Sequence, residues 1–422
     1  MSINLLGQRL FLLLLLLSLA LPTIITSIKM ALLGVLALFV LITSLKHKKL
    51  EINKELFLIT LFFSTLGLVY STYGSVADNP GATKTMTVMV IYPLLFLCLS
   101  IFFSQINDFF KIKKTLIIGS FLVVLVQISF LLSAYGVFPA LIASYFSTLH
   151  SGMAVLDIRE NSFLFTLPNV SSLIFLIPFL LSYVLLSEKK NKKMLILLFI
   201  MFCLILLTGR RAFFVSFAFS LLFLLFASLY LNKNLKFDIL KKLSKTAFIL
   251  VGFIVVLIVS LEVDIEVYVN DFMSIFDFSS NDSNLKRVYQ FRALYEGIAN
   301  APLFGSGAGA AAEYTRSSEQ PWAYELSYIA FMFHYGILGF MIYLLGIVYI
   351  FVSLLKICKD KLVSRDIKVF IISFLAGLVA FLVANSTNPY LGKFDYMWFI
   401  FIPIMIINAY KIEKRKHYAK NI

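Results

Sequence analysis

Charged residues and metal-binding groups are scarce in this sequence. Only 14% of its 422 residues are charged, whereas an ordinary soluble domain has about 25%. The chain has three cysteines, and none of their spacings is typical of a thiolate metal site or of a disulfide framework. We therefore expect neither a metal ion nor another cofactor, and so little polar surface excludes a water-soluble protein.

Long apolar runs take the place of the missing charge. Hydrophobic residues make up 60% of the chain, and its mean hydropathy is +0.93. A membrane-spanning helix needs about 20 mostly apolar residues, and such runs recur along the whole chain. We predict an all-α polytopic membrane protein whose first run is a retained helix, because no small-x-small cleavage site follows it. The twelve predicted transmembrane helices are 5–27, 30–45, 56–74, 84–104, 115–137, 164–186, 194–209, 212–231, 246–262, 326–355, 367–386 and 392–410.

The basic residues indicate how these helices are oriented. Alternate gaps between the helices are basic and together contain 27 of the 37 lysines and arginines. Because positive charge is retained on the cytoplasmic side, we expect both termini in the cytoplasm, and we do not expect nucleic acid as a partner. The basic gaps comprise Arg9 and residues 46–54, 111–114, 189–193, 233–245, 356–368 and 411–420.

Most acidic residues lie on the opposite, extracytoplasmic side, where they are concentrated in two longer segments. Three regions are therefore predicted: residues 1–262 with nine helices and an outer loop at 138–162, a large outer loop at 263–324, and residues 325–422 with three helices and a basic tail. The large loop contains an amphipathic helix of about 15 residues, which a residue near Asp282 caps and Pro302 stops. We expect this helix to lie on the bilayer surface or over a cavity.

Two pairs of arginines on the extracytoplasmic side are candidates for phosphate binding. Arg210 and Arg211 lie in a tight turn, where they either extend to the membrane surface or bind a phosphate, whose oxygens the planar guanidinium matches. Arg287 and Arg292 lie five residues apart on the amphipathic helix, so their side chains point roughly 140° from each other. One of them is expected to face a site and the other to belong to a solvated face.

An acidic residue and two histidines are further candidates. Glu325 lies where the large loop re-enters the membrane, and it either marks the start of a helix or acts as a general base. His334 is typical of a packed, hydrogen-bonded residue, although it lies near Glu325. His150 lies in the first outer loop with Arg159 nearby, a pattern of low specificity. The glycine-rich segment 305–310 lacks the ending of a phosphate-binding loop, which indicates a turn that allows close packing.

Three stretches together resemble the O-antigen ligase and polymerase superfamily. The turn LTGRRA is similar to the TGSRG turn of that family and places Arg211 on its arginine. The segment RVYQF…NAPLFGSG resembles an R-x3-W helix followed by a PL-x-GxG segment, with Arg287 on the family arginine and Phe291 on the aromatic position. In the ligases a histidine precedes a glycine by ten intervening residues. Here Glu325 holds that place before Gly336.

The resemblance implies a GT-C-like glycosyltransferase in the bacterial inner membrane, with its active site on the periplasmic face. Such enzymes perform a metal-independent, inverting transfer of glycans linked to undecaprenyl diphosphate. Arg211 and Arg287 would neutralise the diphosphate leaving group, and Glu325 would deprotonate or orient the attacking sugar hydroxyl. The further residues expected to bind substrate are Arg210, Arg292, Tyr328, His334, Arg159 and His150.

The acidic Glu325 favours the polymerase branch, which extends surface polysaccharide during lipopolysaccharide biosynthesis. The alternative is an O-antigen ligase that transfers the finished glycan to lipid A-core. A further alternative is a transporter of lipid-linked glycan without catalytic activity. The expected partners are an undecaprenyl-diphosphate-linked oligosaccharide, membrane lipid and a chain-length regulator protein.

Overall fold

The computed structural model describes residues 3–47, 50–149, 155–159, 162–188, 191–231 and 282–420, together with positions 241 and 245. Over these residues the regular secondary structure is helical apart from one hairpin, and eight helices are long and apolar enough to cross a membrane. The predicted all-α polytopic membrane protein is therefore confirmed. The predicted helix 246–262 lies outside the described residues.

The helices and strands are numbered in chain order. They are α1 Ile3–Ala20, α2 Thr26–His47, α3 Lys54–Val76, α4 Ala82–Met86, a π-helical turn Thr87–Ile91, α5 Tyr92–Leu99, 3-10 turns Ser100–Phe103 and Ile106–Asp108, α6 Phe109–Ala134, α7 Ala140–Leu149, β1 Val155–Arg159, β2 Ser162–Thr166, α8 Val170–Leu186, α9 Lys192–Leu206, α10 Arg211–Leu231, α11 Asp282–Asn300, α12 Ser327–Lys359, α13 Arg365–Asn385, a 3-10 turn Phe394–Tyr396 and α14 Trp398–Lys420. Residues from Ala82 to Phe103 form one membrane span despite the change of helix type.

The prediction of a helix over 164–186 is wrong at its beginning. Strand β2 pairs antiparallel with β1, and α8 follows only from Val170. Pro168 disfavours a helical backbone at the residue before it, so the helix does not extend back through Leu167. The strand instead contacts the turn after α9, where the Phe165 N–H donates to the Leu207 carbonyl at 3.2 Å.

Polar contacts join several of the predicted cytoplasmic gaps at one end of the helical bundle. Lys414 Nζ of α14 lies 3.3 Å from the Asp360 carboxylate, which follows α12. The Ile106 N–H, which follows the α5 span, donates to the Glu413 carboxylate at 3.0 Å. These contacts keep α14 helical beyond its predicted end at residue 410. We call this region the basic end.

Helices α8 and α13 form the centre of the bundle and are buried over most of their length. Helix α13 packs against α8 and against α10. The ring of Phe175 lies 4.9 Å from the ring of Phe374 and 5.1 Å from that of Trp398. A Cβ at Gly377 would lie 2.8 Å from the Phe175 ring, so the two central helices approach closely at this glycine.

A second network of polar contacts lies at the end of the bundle opposite the basic end. Lys29 and Asp395 form a buried ion pair with 2.6 Å between Nζ and Oδ1. The Thr23 N–H donates to the same carboxylate at 2.8 Å, and Asn169 donates to the Ala20 carbonyl at 3.2 Å. The α1–α2 turn, the start of α8 and the α13–α14 loop are thereby held together. We call this region the site end.

Helix α12 is interrupted at Gly336, although the sequence predicts a continuous helix. Gly336 has φ 66° and ψ 178°, a conformation that is almost restricted to glycine. The segment after α11 satisfies the backbone groups that the break leaves unpaired. Ser306 N–H donates to the Phe333 carbonyl at 2.8 Å, and Ile337 N–H donates to the Pro302 carbonyl at 2.9 Å.

The glycine-rich segment is a packing element, as the sequence indicates. A Cβ at Gly305 would lie 2.5 Å from the Gly336 nitrogen, and one at Gly309 would lie 2.1 Å from the Gly81 carbonyl carbon. Both residues also have positive φ angles, of 72° and 73°. The segment therefore ties α11 and the break in α12 to the beginning of α4.

Candidate active site

Helix α11 presents one buried face to the beginning of α12. Leu294 is fully buried and packs with Tyr324 and Phe333, and Gln290 beside it is also fully buried. Tyr295 on the other face is 61% exposed. A helix is thus present where the sequence predicts one, but Tyr295, expected on its apolar stripe, is exposed. The face that is buried instead carries Gln290 and Leu294 and fixes the helix relative to Glu325.

Glu325 and Arg287 meet at this junction. Arg287 Nε donates to Glu325 Oε2 at 3.0 Å, and Arg287 Nη1 donates to Asn284 Oδ1 at 3.1 Å. The Glu325 side chain is 17% exposed and that of Arg287 is 31% exposed, so solvent or a substrate reaches both groups. Within the described residues, Nη2 of Arg287 has no protein acceptor, which leaves one edge of the guanidinium open.

Arg316 is a third member of this cluster that the sequence analysis missed. Its Nη1 forms an ion pair with Oε1 of Glu325, the oxygen that Arg287 does not contact. Each carboxylate oxygen is thus paired with a different guanidinium. The signal available in the sequence was that Arg316 is the one basic residue between the glycine-rich segment and Glu325.

Gln290 fixes the backbone of Glu325. The Glu325 N–H donates to Gln290 Oε1 at 3.0 Å, while Nε2 of Gln290 is buried with no hydrogen-bond partner among the described residues. Tyr324, one residue earlier, accepts a hydrogen bond from the Ala312 N–H, and its burial raises the pKa of its hydroxyl. The backbone that carries the carboxylate is therefore anchored to α11 through Gln290 and to Ala312 through Tyr324.

Arg210 lies across the site end, close to the α13–α14 loop. Burial raises the pKa of Tyr390, the positive charge of Arg210 lowers it, and the negative charge of Glu325 raises it. Partial loss of water around the exposed Lys393 side chain lowers the pKa of its ammonium group, the charge of Arg210 lowers it further, and that of Asp395 raises it. Tyr390 is thus within electrostatic reach of both Arg210 and Glu325. The α9–α10 turn and the Arg287–Glu325 cluster therefore lie near the same loop.

Arg211, the other arginine of this turn, is the first residue of α10. Its backbone lies directly after Arg210, at the site end, but its side chain is outside what the structure describes. Arg159 is the last residue of β1, and its side chain is likewise outside the description. His150 lies outside the described residues. The expected roles of these three residues stay predictions.

The other expected substrate-binding residues lie in different surroundings. Arg292 is exposed on α11 and does not share the contacts of Arg287, in keeping with the angle between the two positions. The Tyr328 hydroxyl donates to the Leu382 carbonyl at 2.6 Å, which connects α12 to α13. His334 is 9% exposed, and its Nε2 lies 3.0 Å from the Ala310 carbonyl. Its contacts are those of a packed residue in the glycine-rich junction.

The arrangement combines several cations with one carboxylate. Arg287, Arg316, Arg210 and Lys393 supply four positive charges, and Glu325 supplies one negative charge. Guanidinium and ammonium groups stabilise the charge that develops on a phosphate leaving group. A carboxylate that keeps some access to solvent accepts a proton or a hydrogen bond from a hydroxyl. The site can therefore bind an anionic ester beside an alcohol.

Comparison with known families agrees with this picture. Residues 196–344 match the model of the O-antigen ligase family, Wzy_C. The match extends from α9 to the first half of α12, so it contains Arg211, Arg287 and Glu325. It confirms the resemblance to the O-antigen ligase and polymerase superfamily. No curated protein matches the chain.

Proposed function

We propose that this chain, whose residues 196–344 match the O-antigen ligase family model, is a surface-polysaccharide polymerase of the bacterial inner membrane. It transfers a growing glycan from undecaprenyl diphosphate to a sugar hydroxyl of another lipid-linked repeat unit. The basic end faces the cytoplasm with both termini, and the site end faces the periplasm. The distribution of lysine and arginine supports this orientation.

The observation that carries the proposal is the pairing of Glu325 with Arg287 and Arg316. One acidic group between two guanidinium groups supplies both kinds of charge that a glycosyl transfer from a diphosphate requires. The guanidinium groups hold the carboxylate in a fixed direction, and the open Nη2 edge of Arg287 remains for a phosphate oxygen. A general base must be positioned in this way to reach the proton that it accepts.

The proposed reaction is a single displacement with inversion. The hydroxyl oxygen of the acceptor sugar bonds to the anomeric carbon of the donor glycan, and the bond from that carbon to the diphosphate oxygen breaks. Undecaprenyl diphosphate leaves with the bonding electron pair, and Glu325 accepts the hydroxyl proton. Arg287 and Arg211 neutralise the charge that develops on the leaving group.

Glu325 favours the polymerase over the ligase. It stands at the position where the ligases carry a histidine, with ten intervening residues before the glycine that interrupts α12. The second candidate is nevertheless an O-antigen ligase that transfers the glycan to lipid A-core, because the matching family model is described by that activity. Both reactions use the same leaving group and differ in the acceptor.

A deletion strain distinguishes the two functions. We expect loss of the chain to leave lipopolysaccharide with a single repeat unit, whereas loss of a ligase leaves polymer attached to undecaprenyl diphosphate. Purified protein incubated with lipid-linked repeat units should produce a ladder of longer products. Repeat units that stay unchanged while crossing the membrane of a vesicle would contradict both enzymatic functions and indicate a transporter.

Three variants test the arginines. Arg211→Ala and Arg287→Ala should each shorten or abolish the polymer while the protein still inserts in the membrane. Arg211→Lys should restore only part of the activity, because lysine keeps the charge but loses the planar pair of donors. Normal polymer length in both alanine variants would remove these residues from the proposed site.

A further inference from the structure

The loop between α13 and α14 holds Lys393 in a fixed position at the site end. Asn385 Oδ1 accepts hydrogen bonds from the Tyr390 N–H and the Leu391 N–H, both at 3.0 Å. The Lys393 N–H in turn donates to the Tyr390 carbonyl at 3.0 Å. The backbone that carries the ammonium group is therefore well anchored, although its side chain is exposed.

Direct contacts bring this loop close to the α9–α10 turn that carries Arg210. Strand β2 and the start of α8 contact both of them: Phe165 N–H donates to the Leu207 carbonyl at 3.2 Å, and Ser171 Oγ hydrogen-bonds to the Tyr396 hydroxyl. Helix α10 also packs along α13, so the first residues of α10 lie beside the loop that follows α13. Two cations from distant parts of the chain thus converge.

The side chain of Lys393 reaches solvent at the site end. The protein around it removes part of its water and so lowers the pKa of the ammonium group, the positive charge of Arg210 lowers it further, and the charge of Asp395 raises it. An open but partly desolvated cation is accessible to a ligand and interacts strongly with an anion.

The carboxylate of Asp395 acts on Lys393 through its charge, but both of its oxygens are bonded to other groups. Asp395 lies two residues from Lys393, but its Oδ1 is paired with buried Lys29 at 2.6 Å, and its Oδ2 accepts the Thr23 N–H at 2.8 Å. In the part of the chain that the structure describes, neither Arg210 nor Lys393 forms an ion pair with a carboxylate. Lys29 and Asp395 pair with each other, and Arg210 and Lys393 add two further positive charges at the site end.

We propose that Lys393 is a phosphate-binding residue and that, together with Arg210, it binds the diphosphate of the lipid-linked donor. This inference rests on the proposed function, in which the donor is a lipid-linked diphosphate. A diphosphate that bridges two esters carries about two negative charges, and these match the two positive charges of Arg210 and Lys393. The cluster of Arg287, Arg316 and Glu325 then lies beside the bond between the donor sugar and the diphosphate, which is the bond that breaks. Lys393 thus adds a second part of the chain, beyond residues 196–344, to the site.

The first experiment measures binding of inorganic diphosphate to the purified full-length protein in detergent, by isothermal titration. Lys393→Met removes the charge and keeps the length of the side chain, Lys393→Arg keeps the charge, and Lys84→Met is the matched control. Lys84 is an exposed lysine of α4 at the same end of the bundle, without an ion pair among the described residues.

We expect Lys393→Met to weaken diphosphate binding about tenfold, as for the loss of one charge-assisted contact. Lys393→Arg should stay within about threefold of the unsubstituted protein, and Lys84→Met should bind equally well. Equal affinities of the Lys393→Met and Lys84→Met variants overturn the inference. The inference is also overturned if Lys393→Met loses affinity equally for inorganic monophosphate and for diphosphate. A single phosphate, as in a lipid headgroup, would then be the ligand. The unfolding temperature of each variant shows whether a loss of binding reflects a loss of structure.

A second measurement separates this inference from the proposed function. With lipid-linked repeat units, Lys393→Met should raise the KM for the donor more than it lowers kcat, since the contact exists before the transfer step. If the protein binds diphosphate through Lys393 but makes no polymer, the anion site stands and the polymerase proposal fails. If polymer forms and Lys393→Met behaves as Lys84→Met does, the polymerase proposal stands and this inference fails.

Discussion

Replacement of Glu325 by glutamine tests the proposed chemistry most directly. The variant keeps the size of the side chain and one acceptor oxygen but loses the negative charge and the ability to accept a proton. Loss of a positioned general base lowers turnover by about 10²- to 10⁴-fold, which corresponds to roughly 2.7 to 5.5 kcal/mol in the activation free energy. We expect a reduction within that range.

The same change has a smaller effect on stability. Arg287 and Arg316 would keep their positions but lose their common counter-charge, and both side chains are partly exposed, at 31% and 39%. Solvent screening limits the loss from such pairs to about 1 kcal/mol of the free energy of unfolding. The protein should therefore insert, fold and bind the donor, so that a loss of turnover reflects chemistry.

The assay follows polymer formation by purified variants with lipid-linked repeat units, together with thermal unfolding in detergent. Glu319→Gln is the matched control, because Glu319 is exposed in the same loop and forms no ion pair among the described residues. Glu325→Asp should recover part of the activity, since it keeps the carboxylate but withdraws it from the two guanidinium groups. If Glu325→Gln kept more than about a tenth of the turnover, a general base at this position would be refuted.

Three other substitutions test the junctions that support the site. Gly336→Ala should reduce the free energy of unfolding by about 2 to 5 kcal/mol, because alanine is strained at φ 66° and its Cβ would lie 2.2 Å from a backbone carbonyl oxygen. Thermal unfolding measures this change. Gly34→Ala is the neutral control, because a Cβ at Gly34 meets no atom within 4 Å. Lys29→Met should lower the free energy of unfolding by about 3 to 5 kcal/mol, because it leaves the Asp395 carboxylate buried without its partner. The double variant with Asp395→Asn should lose less than the sum of the two single variants. Arg316→Ala should lower turnover less than Glu325→Gln does, since one guanidinium remains on the carboxylate, and equal losses would contradict that order.

The sequence predicted the membrane architecture well because lipid imposes a simple rule. A helix that satisfies its own backbone must be long and apolar to cross the bilayer, and this pattern is visible in a single sequence. The alternation of basic gaps was equally informative, and contacts such as that between Lys414 and Asp360 join several of those gaps at one end of the bundle. The boundaries were less accurate where turns and strands intervene, as before α8 and before α14.

The candidate site was predicted in part. The order of Arg211, Arg287 and Glu325 along the chain resembles a known family, and the structure brings the last two of these residues together at 3.0 Å. Arg316 and Lys393 were missed because each is a single basic residue in a loop. No periodicity or motif distinguishes such a residue from one that only faces solvent.

The sequence by itself determined that the protein lies in lipid, that it is helical and which residue types suit a phosphate ester. These properties follow from composition and spacing. Only the tertiary structure decided which cation meets which anion. Glu325 is shared by guanidinium groups from α11 and from the loop before α12, and Asp395 is occupied by Lys29. Such pairings depend on backbone contacts between distant glycines such as Gly305 and Gly336, where the absence of a side chain sets the distance between segments.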